Sequence, residues 1–172
     1  FYAMQALEEL QRNKILYFSR ICFRWEWNLN GVDMGMSDNV VDAVVSKIQK
    51  APEKLQKALT MTAYTRSYID VATLQSLMDM VGCVVEGDEL VKILDTAVLE
   101  GLLSNTVGSP TYKFAHDRIQ EAAYSLVPAG KERDDMRWKV GSRLFELGSS
   151  PDSGEDWMLF VAADHLNSVH AA

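Results

Sequence analysis

The residues best placed to do chemistry are His116 and Asp117. His116 follows the run Tyr112-Lys113-Phe114, which alternates like a strand, and it precedes an amphipathic helical pattern, so it stands where a strand meets a helix N-terminus. An imidazole in that position can donate to an anion that also meets the helix's free N–H groups. The other role open to it is structural, as a half-buried ring bonded to a nearby carbonyl. Elsewhere the titratable residues assemble nothing. His165 and His170 lie five positions apart on one helical pattern, which does not put both on one face as a metal pair requires. The carboxylate pairs Asp134-Asp135 and Glu8-Glu9 fall on helix surfaces, where solvated charge is the ordinary state. Cys22 and Cys83 belong to no metal-binding spacing and read as buried thiols of a reducing compartment.

The sequence has no Gly-x-x-x-x-Gly-Lys-Ser/Thr phosphate loop, no Gly-x-Gly-x-x-Gly, no His-Glu-x-x-His and no Gly-x-Ser-x-Gly. No catalytic residue, metal ligand set or resident cofactor is therefore expected, and the chain reads as non-enzymatic. Tyr17, Phe23, Trp25 and Trp27 cluster closely enough to suggest a base-stacking surface. Only Lys14, Arg20 and Arg24 bring positive charge there, however, and a hairpin that packs its aromatic face on neighbouring helices is the simpler expectation.

The elements that must position His116 emerge from periodicity. Met4, Leu7 and Leu10 recur at helical spacing; Ile15–Phe18 and Cys22–Trp27 read as a hairpin; residues 28–37 have a loop composition, with Ser37 or Asp38 able to cap the next helix. Helices are expected with Val40, Val44 and Ile48 inside, then from Pro52 with Leu55, Leu59 and Ala63 inside. The next is capped by Asp70 and stopped by Gly82, and a fourth runs from Asp88 to a stop at Gly101. Leu102–Val107 and Thr111–Ala115 flank a Gly108-Ser109-Pro110 turn and read as antiparallel strands. This order is that of a winged helix. Asp117–Leu126 is helical again. A hairpin of two helices, about 131–147 and 156–170, joined by a linker over 148–155, closes the chain and could begin an α-solenoid. Gly141 costs its helix about 1 kcal/mol unless it permits a close approach.

Composition agrees with a folded, mainly α chain: 172 residues, 48% hydrophobic, with 17 Lys plus Arg against 24 Asp plus Glu, a net charge of -7. An acidic balance disfavours phosphate backbones. The expected recognition helix carries Asp88, Glu89, Asp95 and Glu100 against Lys92 alone, so nucleic acid is an unlikely partner, although a DNA-binding winged helix of a transcription regulator is the alternative reading. No apolar run approaches the roughly 20 residues of a membrane-spanning helix, and no signal peptide is visible, so a cytoplasmic location is expected. Opening on Phe1, the chain reads as a piece of something longer.

The run YKFAHDRIQEAAYSL at 112–126 resembles the closing element of the winged-helix domain in signal-transducing ATPases of the STAND class. More narrowly, it is similar to the large ATPase modules attached to serine/threonine and histidine kinases. The stretch from Phe23 to Leu59, the run IDVATLQSL at 69–77 and VLEGLLSN at 98–105 carry the same resemblance. It implies residues 1–36 as the end of a helical lid plus the hairpin, 37–127 as a winged-helix domain, and 128–172 as a helical hairpin leading into helical repeats. It also implies an upstream nucleotide-binding domain and downstream repeats as partners, and ADP/ATP with Mg as ligands of the parent protein. In such ATPases, including plant disease-resistance proteins with a Met-His-Asp motif, the winged-helix histidine contacts the β-phosphate of ADP. His116-Asp117 matches the His-Asp of that motif, and Ala115 replaces its Met.

Overall fold

A computed structural model of the chain describes residues 7, 8, 11, 12, 16–20, 24–27, 40–65, 68–105, 111–150 and 156–170. The expected caps Ser37 and Asp38, the linker over 151–155, Cys22 and the turn at 108–110 lie outside them. The chain divides into two compact units, Phe1–Val40 and Val41–Ala172. Among the described residues of the first, β1 (Leu16–Ser19) pairs antiparallel with β2 (Arg24–Trp27), Leu16 opposite Trp27 and Phe18 opposite Trp25. The Phe18 and Trp25 rings meet edge to face at 5.6 Å, yet they stay 44% and 51% exposed. Leu16, on the same face of the pleat as these two rings, is buried, and Phe23 and the Trp27 side chain of the expected aromatic face lie outside the described residues.

The second unit is mainly helical, with one small antiparallel sheet. Its helices are α1 (Val40–Gln49), α2 (Glu53–Thr65), α3 (Val71–Met80), α4 (Gly87–Leu99), α5 (Asp117–Ser125), α6 (Lys131–Gly148) and α7 (Asp156–His170). Strands β3 (Tyr68–Asp70), β4 (Leu103–Asn105) and β5 (Thr111–Phe114) form the sheet in the order β3-β5-β4, with β5 in the middle. The hairpin expected from sequence thus has a third strand on its far side. None of the helices among the described residues is long and apolar enough to cross a membrane.

Helix α2 is the centre of the core. Pro52 stands just before it, its carbonyl accepting from Leu55 and Gln56 N–H, so the first turn has no need of a proline N–H. From Ala58 onward α2 is buried on every side, including Thr60, Thr62 and Thr65. Those hydroxyls survive burial because each bonds a carbonyl of its own helix at 2.8 Å: Thr60 to Gln56, Thr62 to Ala58, Thr65 to Thr62. Around it pack Ile48 of α1, Leu74, Leu77 and Met78 of α3, Leu90 and Leu94 of α4, and Ile119, Ala122 and Ala123 of α5, all fully buried in one cluster.

Helix ends obey local chemistry. The Asp70 carboxylate accepts from Thr73 N at 2.8 Å and Thr73 Oγ1 at 2.6 Å, which caps α3. Gly82, at φ 72°, ends it, with Cys83 N–H bonding back to the Met78 carbonyl. Gly101, at φ 71°, ends α4 the same way. That helix starts one residue earlier than expected: Glu86 holds the cap position with no side-chain bond, and Asp88 lies within the first turn.

Helices α6 and α7 pack tightly on each other. A Cβ on Gly141 would stand 3.1 Å from His165 Cβ and Leu166 Cγ and 3.3 Å from the Ala162 carbonyl oxygen. One on Gly148 would stand 3.0 Å from Leu159 Cδ2. These two glycines supply the close approach that compensates for their low helix propensity. Gly148 therefore belongs to α6 rather than to the linker, and Ser149 is the cap.

Candidate functional site

His116 is reached directly from the middle of the sheet. After Phe114, Ala115 N–H still bonds the Leu102 carbonyl at 3.1 Å, and His116 follows in an extended conformation, φ -158° and ψ 148°. It is the N-cap of α5. Its Nδ1 accepts from Arg118 N at 3.2 Å, and its carbonyl accepts from Ile119 N at 3.0 Å. An accepting Nδ1 assigns the neutral ring's proton to Nε2.

This geometry alters the role read from sequence. Two of the N–H groups that open α5, those of Arg118 and Ile119, are bonded to His116 itself and are not donors for an anion. The ring bond described is also the reverse of a histidine donating to a carbonyl from Nδ1. The cap fixes the direction of the imidazole. The ring is half-buried, and Asp117 beside it is exposed in the first turn, where a carboxylate suits the helix dipole. Arg118 pairs with Glu121 at 2.6 Å across exposed surface.

Behind the first turn, a cleft of about 310 Å³ is lined by Ala63 of α2, by Asp117, Gln120, Glu121 and Tyr124 of α5, and by Arg137 of α6. His116 is not among these residues. Two carboxylates against one guanidinium make the cleft a poor seat for a phosphate.

The far half of α5 holds a cluster that sequence reasoning missed. The Tyr124 ring lies 4.7 Å from that of Tyr64 and carries the Arg133 guanidinium at 5.0 Å. Arg137 Nε donates to Tyr124 Oη at 2.8 Å, and Arg133 donates twice to the Val127 carbonyl at the end of α5, at 3.1 and 2.7 Å. Beneath them Tyr64 is fully buried, and its hydroxyl has no hydrogen-bond partner among the described residues. Burial, reinforced by Tyr124, pushes its pKa up to about 12. The one sequence signal was Arg133 and Arg137, a turn apart on one face of α6.

His165, which its spacing of five from His170 excluded from a metal pair, is buried, and its Nε2–H bonds the Tyr64 carbonyl at 2.7 Å. Among the described residues no three His, Cys, Asp or Glu side chains converge as a metal set. Cys83 is a buried free thiol. Asp135 is exposed, whereas Asp134 is half-buried, with Arg137 at 3.8 Å. On α4, Asp88, Glu89, Lys92 and Asp95 are all exposed.

No protein-family model matches the chain, and no solved structure matches it. It is similar to a segment of a signalling kinase. That protein is hybrid signal transduction histidine kinase G of Dictyostelium discoideum, 22% identical over 185 aligned residues that cover 85% of this chain and 5% of the kinase. The chain thus spans about one-twentieth of the length of the curated relative it matches.

Proposed function

We propose that this chain is a non-catalytic regulatory segment of a signal-transducing ATPase of the STAND class, carried within a larger cytoplasmic signalling kinase. Its winged-helix part, from α1 to α5, reads whether an upstream nucleotide-binding core in the same polypeptide holds ADP or ATP, and the α6–α7 hairpin passes that state to downstream helical repeats. The observation that carries the reading is His116 at the β5–α5 junction, with its Nδ1 engaged as the helix cap and its proton on Nε2.

Two further observations support it. The order α2, β3, α3, α4, β4, β5, with the last strand between the other two, is that expected of a winged helix. The similarity to a short segment of a hybrid signal transduction histidine kinase agrees with a signalling context. His116 Nε2–H suits a phosphate oxygen of ADP, whose Mg and remaining phosphate contacts would come from the core. Duplex DNA binding draws no support from α4, whose exposed face is acidic.

The test is calorimetric titration of ADP and ATP into the parent polypeptide, wild type against His116→Ser. Serine keeps a capping oxygen and withdraws the imidazole. A selective loss of ADP affinity of roughly 5- to 150-fold, the usual allosteric coupling range, is expected. Equal ADP affinity in both proteins would leave His116 as a cap and end the sensing reading.

A further inference from the structure

The α6–α7 hairpin holds itself together differently from the way it is held to its neighbours. Between its two helices the backbones approach to glycine distance at Gly141 and Gly148. Toward the other helices, Val140, Leu144, Met158 and Ala162 join the common core, and the polar attachment includes bonds from single side chains. Arg143 Nε bonds Ser76 Oγ on α3 at 2.7 Å, Arg137 bonds Tyr124, Arg133 bonds the Val127 carbonyl, and His165 bonds the Tyr64 carbonyl.

The joint among α2, α5, α6 and α7 is also imperfectly satisfied. Tyr64 Oη is buried there without a partner among the described residues, under the rings of Tyr124 and His165, the latter 5.6 Å away. The cleft of about 310 Å³ opens onto the same joint, since Ala63, Tyr124 and Arg137 line it. A buried hydroxyl without a partner is penalised only while it stays dry. Lifting α7 away from Tyr64 lets water reach the hydroxyl, whereas the contacts inside the hairpin are kept.

We infer that the α6–α7 hairpin undocks from α1–α5 as one cooperative unit while the rest stays folded, with the orphan Tyr64 hydroxyl biasing the joint toward release. Such a sub-global opening would give the chain a two-position element, and it holds whether or not His116 meets a nucleotide.

The test is native-state hydrogen exchange on the whole chain at increasing low concentrations of denaturant, with wild type compared with Tyr64→Phe and Arg137→Ala. In wild type, the slowest amides of α6 and α7 should share one opening, populated at least tenfold more than the opening that exposes α2. Tyr64→Phe should reduce the hairpin opening by a factor on the order of ten and Arg137→Ala should increase it; because both substitutions act on the docked state, protection of α2 should shift by a similar factor while the hairpin opening stays the more populated of the two. Exchange of α6, α7 and α2 through one common unfolding would overturn the inference. So would a hairpin opening that Tyr64→Phe left unchanged.

Discussion

Tyr64 and Tyr124 stack with ring centroids 4.7 Å apart at an interplanar angle of 42°, and the two hydroxyls have opposite fates. Tyr124 Oη accepts from Arg137, whereas Tyr64 Oη is buried with no partner among the described residues. A tyrosine in the unfolded chain ionises near pH 10, and burial holds the folded group protonated to about 12. The folded-state pKa is raised, so its contribution to stability is fully present below about pH 10 and is lost as pH rises toward 12. Urea denaturation across that window should show a decline on the order of 2–3 kcal/mol from this group. Tyr64→Phe should flatten the decline and leave stability at neutral pH equal or higher by about 1 kcal/mol. An alkaline limb unchanged in Tyr64→Phe would contradict the assignment.

Replacing Gly141 by Ala tests the helix contact. Helix propensity alone favours Ala by about 1 kcal/mol. The new Cβ would meet the Ala162 carbonyl oxygen at 3.3 Å as well as two side chains at 3.1 Å, and a backbone atom cannot swing aside. A net loss of about 1–3 kcal/mol is expected, read from the denaturation midpoint. A gain in stability would mean the helices stand further apart.

The caps give a graded pair of substitutions at the candidate site. His116→Ala should cost about 0.5–2 kcal/mol by leaving Arg118 N–H without its acceptor, and His116→Ser should recover most of it. If Ser and Ala proved equally damaging, the ring would be contributing packing and not a cap.

Asp70→Ala removes two bonds at once, to Thr73 N and to its hydroxyl. A loss of about 1–2 kcal/mol is expected, with Asp70→Asn recovering the backbone bond only. Thermal denaturation of the three proteins orders them, and an order with Asn at or below Ala would argue against capping.

Much of the fold was legible because its signals are local. The Asp70 cap and the stops at Gly82 and Gly101 depend on one residue and its immediate neighbours, and each is present. Strand β3 was missed because three residues are too few for an alternation, although Ile69 is buried and Tyr68 is 42% exposed on either side of the pleat. The all-round burial of α2 was missed for a related reason. Its threonines look polar in sequence and become core residues only by bonding their own helix. At the site, sequence placed His116 at the junction, but not the direction of its hydrogen bond. The Tyr64–Tyr124–Arg137 cluster joins three helices and could be read only once α2, α5 and α6 stood together.

Asp70 closes β3 and opens α3, so one side chain belongs to two elements. A strand of three residues has too short a hydrophobic pattern to choose its own alignment. Sliding β3 by one position against β5 would carry Asp70 away from its place opposite Thr111 and drag its carboxylate off the Thr73 N–H. The sheet's alignment is thus keyed by a helix, and a lesion at residue 70 would be felt as strand slippage as well as fraying.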